Sequence, residues 1–275
     1  MTFIPKLPPI MRIFAPTLSL KTHPKMSHLC IDIGNTRTKL ATFAADDSMI
    51  DLQFVPHIET IEAVDKILVA QQISHCILSS VATRDAALIA FLSQNTHFIE
   101  LSHRTHIPID NRYKTPETLG KDRLAAVIAA NYLYPNEAVL VIDAGSCITF
   151  DFIDGHACYW GGSITPGIKM RFKAMHHFTG RLPLMALPEN IPSLTENTTA
   201  TAMQSGIYWG VLAEVEGIIK AYQKDFPHLQ IIVTGGDTDF LKQHLSIDVQ
   251  ADPYLVLQGL HRILQYNIEL DETHA

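Results

Sequence analysis

One short pattern occurs twice in this chain and limits what it can fold into. Asp32-Ile33-Gly34-Asn35-Thr36 closes the apolar run Leu29-Cys30-Ile31, and Asp143-Ala144-Gly145-Ser146 closes Val139-Leu140-Val141-Ile142. Each copy puts a carboxylate at the end of a buried strand, then a glycine for a tight turn, then a small hydrogen-bonding side chain. The copies lie about 110 residues apart, well beyond the period of a repeat array, so they predict two related halves rather than a solenoid. Two such turns facing each other can hold a nucleotide phosphate and its cation between two lobes. That arrangement points to phosphotransfer.

From Met26 onward, strand-like and helix-like stretches alternate. Residues 38–43 return beside the first strand as a hairpin with 34–37 at its turn, and 149–153 do the same beside 139–143. Helical spacing marks 61–72, 85–92, 200–223, 240–244 and 254–265, and another helix begins near Lys169. Residues 75–80, 98–101, 158–162 and 231–233 read as strands. Pro116 suits the first turn of a helix running to about Tyr132, with Leu124, Val127, Ile128 and Asn131 along one face. Hairpins followed by βα units in each half predict an α/β fold of two lobes, with a ligand cleft at the strand ends.

Composition decides which partners suit such a fold. Of 275 residues 47% are apolar and 18% charged, enough to bury a real core. The net charge of −7 argues against nucleic acid, which needs a basic face. No apolar run reaches the length of a bilayer span, so no membrane partner is expected. Cys30, Cys76, Cys147 and Cys158 include no CxxC pair and read as reduced small hydrophobes of a cytoplasmic protein. The 14 histidines include no HExxH and no clustered Cys/His set. Residues 1–25 carry Pro5, Pro8, Pro9, Pro16 and Pro24, show no helical or strand period, and lack the apolar core of a signal peptide. They read as a disordered extension, or as the product of a start assigned upstream of Met26.

Asp32-Ile33-Gly34-Asn35-Thr36-Arg37-Thr38-Lys39 gathers a carboxylate, an amide, two hydroxyls and two cations on one hairpin. A phosphate tail needs backbone N–H groups, hydroxyls and a nearby cation. Hydrated Mg²⁺ needs one or two carboxylates besides the substrate phosphates. The spacing is neither GxxxxGK[ST] nor GxGxxG. Taken alone, this stretch is equally well a plain turn with solvated Arg37 and Lys39. The second copy at Asp143 favours phosphate binding.

Five ordered motifs sharpen the reading. They are the octapeptide 32–39, Asn111-Arg112-Tyr113 leading to Gly120-Lys121-Asp122-Arg123, Asp143-Ala144-Gly145-Ser146, Gly161-Gly162-Ser163-Ile164-Thr165-Pro166-Gly167, and Thr234-Gly235-Gly236-Asp237. In this order and spacing, from Met26 to about Tyr266, the chain resembles type III pantothenate kinase. That bacterial family belongs to the superfamily of acetate kinase, sugar kinases, actin and Hsp70. The resemblance implies two ribonuclease H-like (actin-like) lobes, 26–138 and 139–253, with the final helix 254–266 packing back on the first. It also implies phosphorylation of the pantothenate 4′ hydroxyl by ATP, the first step of coenzyme A synthesis.

Site roles follow from the same resemblance. Asp122 is the proton acceptor, and Arg123 binds the pantothenate carboxylate or the transferring phosphoryl group, either of which suits a guanidinium fork. Tyr113 lines the pantothenate pocket. Gly120 and Lys121 approach the substrate, Lys121 replacing a smaller or apolar residue. Thr199 contacts substrate, with Thr198 beside it as the alternative register. Asp32, Ile33, Gly34, Asn35, Thr36, Arg37, Thr38 and Lys39 bind ATP together with Ser146, which stands where the family has threonine. Asp143 holds a monovalent cation, K⁺ or NH₄⁺, and Asp32 the Mg²⁺ that accompanies ATP. Residues 161–167 shape the substrate pocket by a turn at Pro166-Gly167, and Asp237 caps the helix after the 234–236 turn. The partners implied are ATP, pantothenate and a second copy in a homodimer whose subunit boundary forms the pocket. Two readings stay open beside this one. Another two-lobed small-molecule kinase would share the Asp-Gly turns without needing Tyr113 and 120–123. A non-catalytic regulatory protein of the same fold is opposed by the acidic charge and by the complete set Asp32, Asp122 and Asp143.

Overall fold

The structure is a computed structural model that describes residues 27–81 and 84–274; the reading of 1–25 lies outside the described residues. The first apolar run forms β1 (Ser27–Ile33), whose hairpin return β2 (Thr38–Phe43) leads into a third antiparallel strand, β3 (Met49–Val55). Helix α1 (Thr60–Ala70), strand β4 (Ile73–Ser80), helix α2 (Ala86–Asn95) and strand β5 (His97–Glu100) follow. β4 pairs parallel with β1 and β5 parallel with β4, so the sheet order is β3-β2-β1-β4-β5.

After a two-residue strand β6 (Asp110–Asn111) and helix α3 (Lys121–Leu133), the plan repeats. β7 (Val139–Ala144), β8 (Cys147–Ile153) and β9 (Cys158–Pro166) form an antiparallel meander. Beyond α4 (Ile168–His177) and α5 (Thr199–Asp225), β10 (Gln230–Thr234) pairs parallel with β7. Past α6 (Thr238–His244), β11 (Gln250–Ala251) pairs parallel with β10, while β6 extends the other edge beside β9. Helix α7 (Leu255–His274) follows. Three antiparallel strands followed by a parallel pair recur in both sheets: the two Asp-Gly turns predicted the doubling, and the family resemblance its actin-like form.

Strand alternation sorts side chains between two faces of each sheet. Leu29, Ile31 and Ile33 of β1 pack outward with Val64 and Ile67 of α1, and Leu140, Ile142 and Phe150 pack outward with α4 and α5. Cys30, Val139, Val141 and Ile153 face inward and share one core with α3 and α7. The expected single apolar face of α3 is therefore corrected: every residue from Arg123 to Ala130 is buried, because the helix lies between the two sheets. Its alanines allow close approach to α7, and at Gly259 that approach is so tight that a Cβ would overlap the carbonyl oxygen of Ala125. Gly259→Ala is expected to destabilise the protein by about 1–3 kcal/mol through overpacking, read as a lowered urea midpoint at constant slope.

Other boundaries also shift. Pro116 heads a separate 3-10 turn, Pro116–Thr118, and extended backbone at Leu119 and Gly120 separates it from α3. The 161–167 segment is strand through Pro166 rather than a turn, and Gly167 stands at the N-terminus of α4. β3, β6 and β11 were not anticipated. Among the described residues no helix is long and apolar enough to cross a membrane.

Candidate active site

The two hairpins deliver their carboxylates to the inner faces. Asp32, 5% exposed, lies opposite Lys39 in the β1–β2 register, with Nζ 3.9 Å from Oδ2. Asp143 lies opposite Thr149, so the second hairpin has a hydroxyl where the first has a cation. Both carboxyls are pushed up. Burial raises Asp32 to about 6, opposed by Lys39 and reinforced by Asp122. Burial raises Asp143 to about 7, reinforced first by Asp122 and then, against the pull of Lys39, by Asp32 and Asp151. Asp122, in the first turn of α3, lies within electrostatic reach of both hairpin acids.

The glycine turns close around the second hairpin. Gly145 N–H donates to Cys147 O at 2.9 Å and Gly167 N–H to Ser146 O at 3.1 Å. Gly235 has φ +94°, and a side chain there would collide with Asp143 Oδ1 and the Ala144 carbonyl. Asp237 N–H donates to Ala144 O at 2.9 Å, and Thr238 Oγ1 donates to Gly235 O at 2.8 Å. The 234–237 turn is thereby held against the Asp143 turn, where it presents backbone rather than side chains. Asp237 occupies the cap position of α6 but makes no side-chain cap bond.

On the other side of the cleft, Arg123 N–H donates to Asp122 Oδ1 at 2.8 Å. The Arg123 guanidinium is buried and forks onto Asp151, with Nε 3.0 Å from each oxygen and Nη2 2.6 Å from Oδ1. Burial alone would lower the Arg123 pKa; the Asp151 carboxylate reverses this and holds it above the ordinary value. Tyr113 stacks on Tyr159 with centroids 6.2 Å apart, and the Arg123 guanidinium carbon lies 5.6 Å from the Tyr113 ring centre. A side chain at Gly161, where φ is +89°, would come within 3.0 Å of the Tyr113 ring. Tyr113, Gly120, Asp122 and Arg123 thus form one wall, and Lys121 lines shallow hollows beside it with Asn111 and Glu100.

Several anticipated residues stand elsewhere. Thr38 is fully buried on the outer face, its hydroxyl bonded to Thr60 Oγ1 at 2.9 Å and His57 Nδ1 at 3.0 Å, so it is unavailable to ATP. Ile33, its register partner, packs in the outer core and offers only backbone. Arg37 lies over the Phe54 ring at 4.2 Å, toward β3. Gly34 N–H closes the turn onto Arg37 O, and Asn35, Thr36 and Ser146 are exposed at the two hairpin tips. Thr198 caps α5 by accepting from Thr201 N–H at 3.2 Å, while Thr199 is exposed on the first turn. Among the described residues, no hydrogen bond joins Thr199 to Asp122, Arg123 or Tyr113. Asp151 was missed from the sequence, although a carboxylate between Phe150 and Phe152 in an apolar strand was its signal.

A sequence model of the type III pantothenate kinase family matches residues 28–221. The type III pantothenate kinase of Phocaeicola vulgatus is 42% identical over 244 residues, covering 88% of this chain and 100% of the relative. That of Bacteroides fragilis is 39% identical over 241 residues, covering 87% and 98%. Among solved structures, a conserved Baf family protein from Campylobacter jejuni superposes with a TM-score of 0.56 at 24% identity, covering 88% of this chain and 99% of the other. The activator of 2-hydroxyisocaproyl-CoA dehydratase from Clostridium difficile, with bound ADPNP, gives 0.53 at 12% identity, covering 90% and 98%. These two establish likeness of fold.

Proposed function

The chain belongs to the type III pantothenate kinase family and catalyses ATP-dependent phosphorylation of pantothenate in coenzyme A synthesis; we propose that Asp122 accepts the proton of the acceptor hydroxyl. The observation that supports this assignment is the nearness of Asp122 to both hairpin acids, whose carboxyls it helps push up, so that acceptor-side and nucleotide-side carboxylates stand within electrostatic reach of one another. Phosphoryl transfer to an alcohol needs positioning, charge neutralisation and one carboxylate to orient the hydroxyl. Oδ1 of Asp122 is engaged by Arg123 N–H, and Oδ2 is the oxygen that takes the proton as the new O–P bond forms and ADP departs.

Charge balance supports the cation assignments. Among the described residues, the cations that act on Asp32, Asp143 and Asp151 are Lys39 and Arg123, so a polyphosphate entering here is expected to bring cations of its own. Among the described residues no cluster of three or more His, Cys, Asp or Glu side chains forms a metal cage. Mg²⁺ binds through substrate phosphates and water with one or two carboxylates, and is assigned here to Asp32. When bound, the ion neutralises charge on the transferring group. K⁺ or NH₄⁺ is assigned to Asp143 and the adjacent turn carbonyls. Lys39, Gly34 and the exposed hairpin tips receive the triphosphate.

Pantothenate is assigned to the wall formed by Tyr113 and Arg123, completed by Thr199 of the second copy in a homodimer. This is supported by the exposure of Thr199 and by the apolar surface of Trp160, Ile164 and Phe178, which are 58%, 57% and 82% exposed. The lobes are assigned to 26–138 and 139–253 with 254–266 returned to the first, an assignment supported by the packing of α7 on β1 and β4. The free thiols Cys30, Cys76, Cys147 and Cys158 support a cytoplasmic location.

The full chain, supplied with ATP, Mg²⁺, K⁺ and pantothenate, is expected to yield phosphopantothenate and ADP in equal amounts by mass spectrometry. Sedimentation is expected to give twice the 30.6 kDa chain mass. No product with either K⁺ or NH₄⁺ would reject the kinase reading, and a fully active monomer would reject the shared pocket.

A further inference from the structure

We infer that Asp151 is a positioning residue for the acceptor side of the cleft, acting through Arg123 on Asp122 and on the substrate oxygen that Arg123 meets. This rests on the kinase reading above. Asp151 is 1% exposed in the middle of β8, and its neighbours Phe150 and Phe152 point to the outer core while Asp151 points inward to α3. Besides the three contacts from Arg123, its oxygens accept Thr149 Oγ1 at 2.9 Å and Tyr159 OH at 2.6 Å. A carboxylate has about four lone-pair sites, so its capacity is filled entirely by protein. It cannot itself be a ligand for substrate or cation.

Stability does not explain a charge in this place. Replacing a buried ion pair by apolar groups of similar volume is generally neutral or stabilising, whereas removing one partner leaves an uncompensated charge. The location of Arg123 supplies the explanation. Its backbone N–H holds Asp122 Oδ1, so fixing the guanidinium fixes the first turn of α3 and the direction of the neighbouring carboxylate. The fork onto Asp151 uses Nε and Nη2, and the guanidinium also meets the Tyr113 side chain, so its position sets the wall to which the substrate is assigned. Tyr159 ties the same carboxylate to the ring on which Tyr113 stacks. Thr149, a further donor, stands opposite Asp143 in the β7–β8 register. A single saturated carboxylate therefore sets the relative positions of the proton acceptor, the arginine and the tyrosine wall.

The test compares Asp151→Asn, Tyr159→Phe, Arg123→Met and the double variant Arg123→Met/Asp151→Leu with the wild-type full chain. Kinetics are measured separately for pantothenate and ATP, and a crystal structure of Asp151→Asn is determined. Asp151→Asn is expected to lower kcat/KM for pantothenate by about 10–100-fold, with KM for ATP changed less than about threefold, because the lost order is confined to the acceptor side. Tyr159→Phe, which leaves the ion pair intact, is expected to lose about threefold and supplies a readout if Asp151→Asn does not fold. The double variant is expected to melt above Arg123→Met, which leaves the Asp151 charge buried without its partner, yet turn over no faster than it. Unchanged pantothenate kinetics in folded Asp151→Asn, or in Tyr159→Phe if that alone folds, would overturn the inference. Recovery of activity in the double variant above Arg123→Met would do the same. The crystal structure is independent of the reaction. Arg123 is expected to leave its wild-type position in Asp151→Asn, and an unmoved guanidinium overturns the positioning role even if the wild type proves inactive on pantothenate, an outcome that rejects the kinase reading instead.

Discussion

Asp122→Asn is expected to lower kcat by about 10²–10⁴-fold, the range for losing one positioned proton acceptor, while the fold persists. The substitution keeps the shape of the side chain and keeps an oxygen to accept the Arg123 N–H, so the first turn of α3 has the same local bonds. What disappears is the negative charge and the proton affinity of the second oxygen. The helix loses a favourable anion at its N-terminus, a loss of about 0.3–1 kcal/mol. Against that, Asp122 is one of the groups that push up both Asp32 and Asp143, so removing its charge relieves each of them. The two effects oppose each other, and the melting temperature is expected to stay within a few degrees of wild type. KM for ATP is expected to change little, because the nucleotide side of the cleft is built by other elements. A folded Asp122→Asn protein with near-wild-type kcat would remove Asp122 from the chemistry.

The sequence revealed the plan of this fold because the plan is duplicated and each copy is marked at a chemically costly place. A carboxylate ending an apolar strand is expensive to bury, and a glycine after it is needed for the turn, so Asp32-Ile33-Gly34 and Asp143-Ala144-Gly145 stood out. Strand alternation could have carried the reading further. Lys39 pairs with Asp32 on the inner face, so its neighbour Thr38 must point outward, toward α1. Grouping all of 32–39 as phosphate ligands ignored that constraint. The β3 stretch Met49-Ile50-Asp51-Leu52-Gln53-Phe54-Val55 was less legible, since an edge strand is mostly half-buried and its period is blurred by Asp51 and Gln53. Helix α3 misled for the opposite reason. A helix enclosed by two sheets and α7 has no solvent face to produce a polar stripe. The partnership of Arg123 with Asp151 joins positions 28 residues apart, and only the fold brings them together.

Asp143→Asn is expected to stabilise the protein at pH 8 and to impair its response to K⁺. In the folded chain the Asp143 carboxyl is pushed up to about 7 by burial and by Asp122, against 3.8 in a free chain. The folded state therefore holds a proton that the unfolded state releases between these values, and stability falls as pH rises from about 4 to about 7. At pH 8 the full difference would amount to about 4 kcal/mol, and since Asp143 keeps some contact with solvent, about 2 kcal/mol is the expected effect. For a chain of this size that raises the melting temperature of Asp143→Asn by about 4–8 °C at pH 8. The gain is expected to shrink toward zero near pH 4. His261 works in the other direction: burial lowers it to about 4, so its stabilisation is lost as pH falls from 6.5 toward that value. It contributes equally to both proteins, so the difference between the two melting curves isolates Asp143. The functional loss has the same origin as the stability gain. On the assignment proposed above, the cation competes with the proton that Asp143 holds beside Asp32, Asp122 and Asp151. Replacing the Asp143 carboxylate by an amide is expected to raise the K⁺ concentration for half-activation by at least about 10–100-fold, the range for losing even an outer-shell partner of an ion. An Asp143→Asn protein with an unchanged K⁺ titration would detach the cation from this hairpin, and one that melts no higher than wild type at pH 8 would show that the crowded acids carry no such strain.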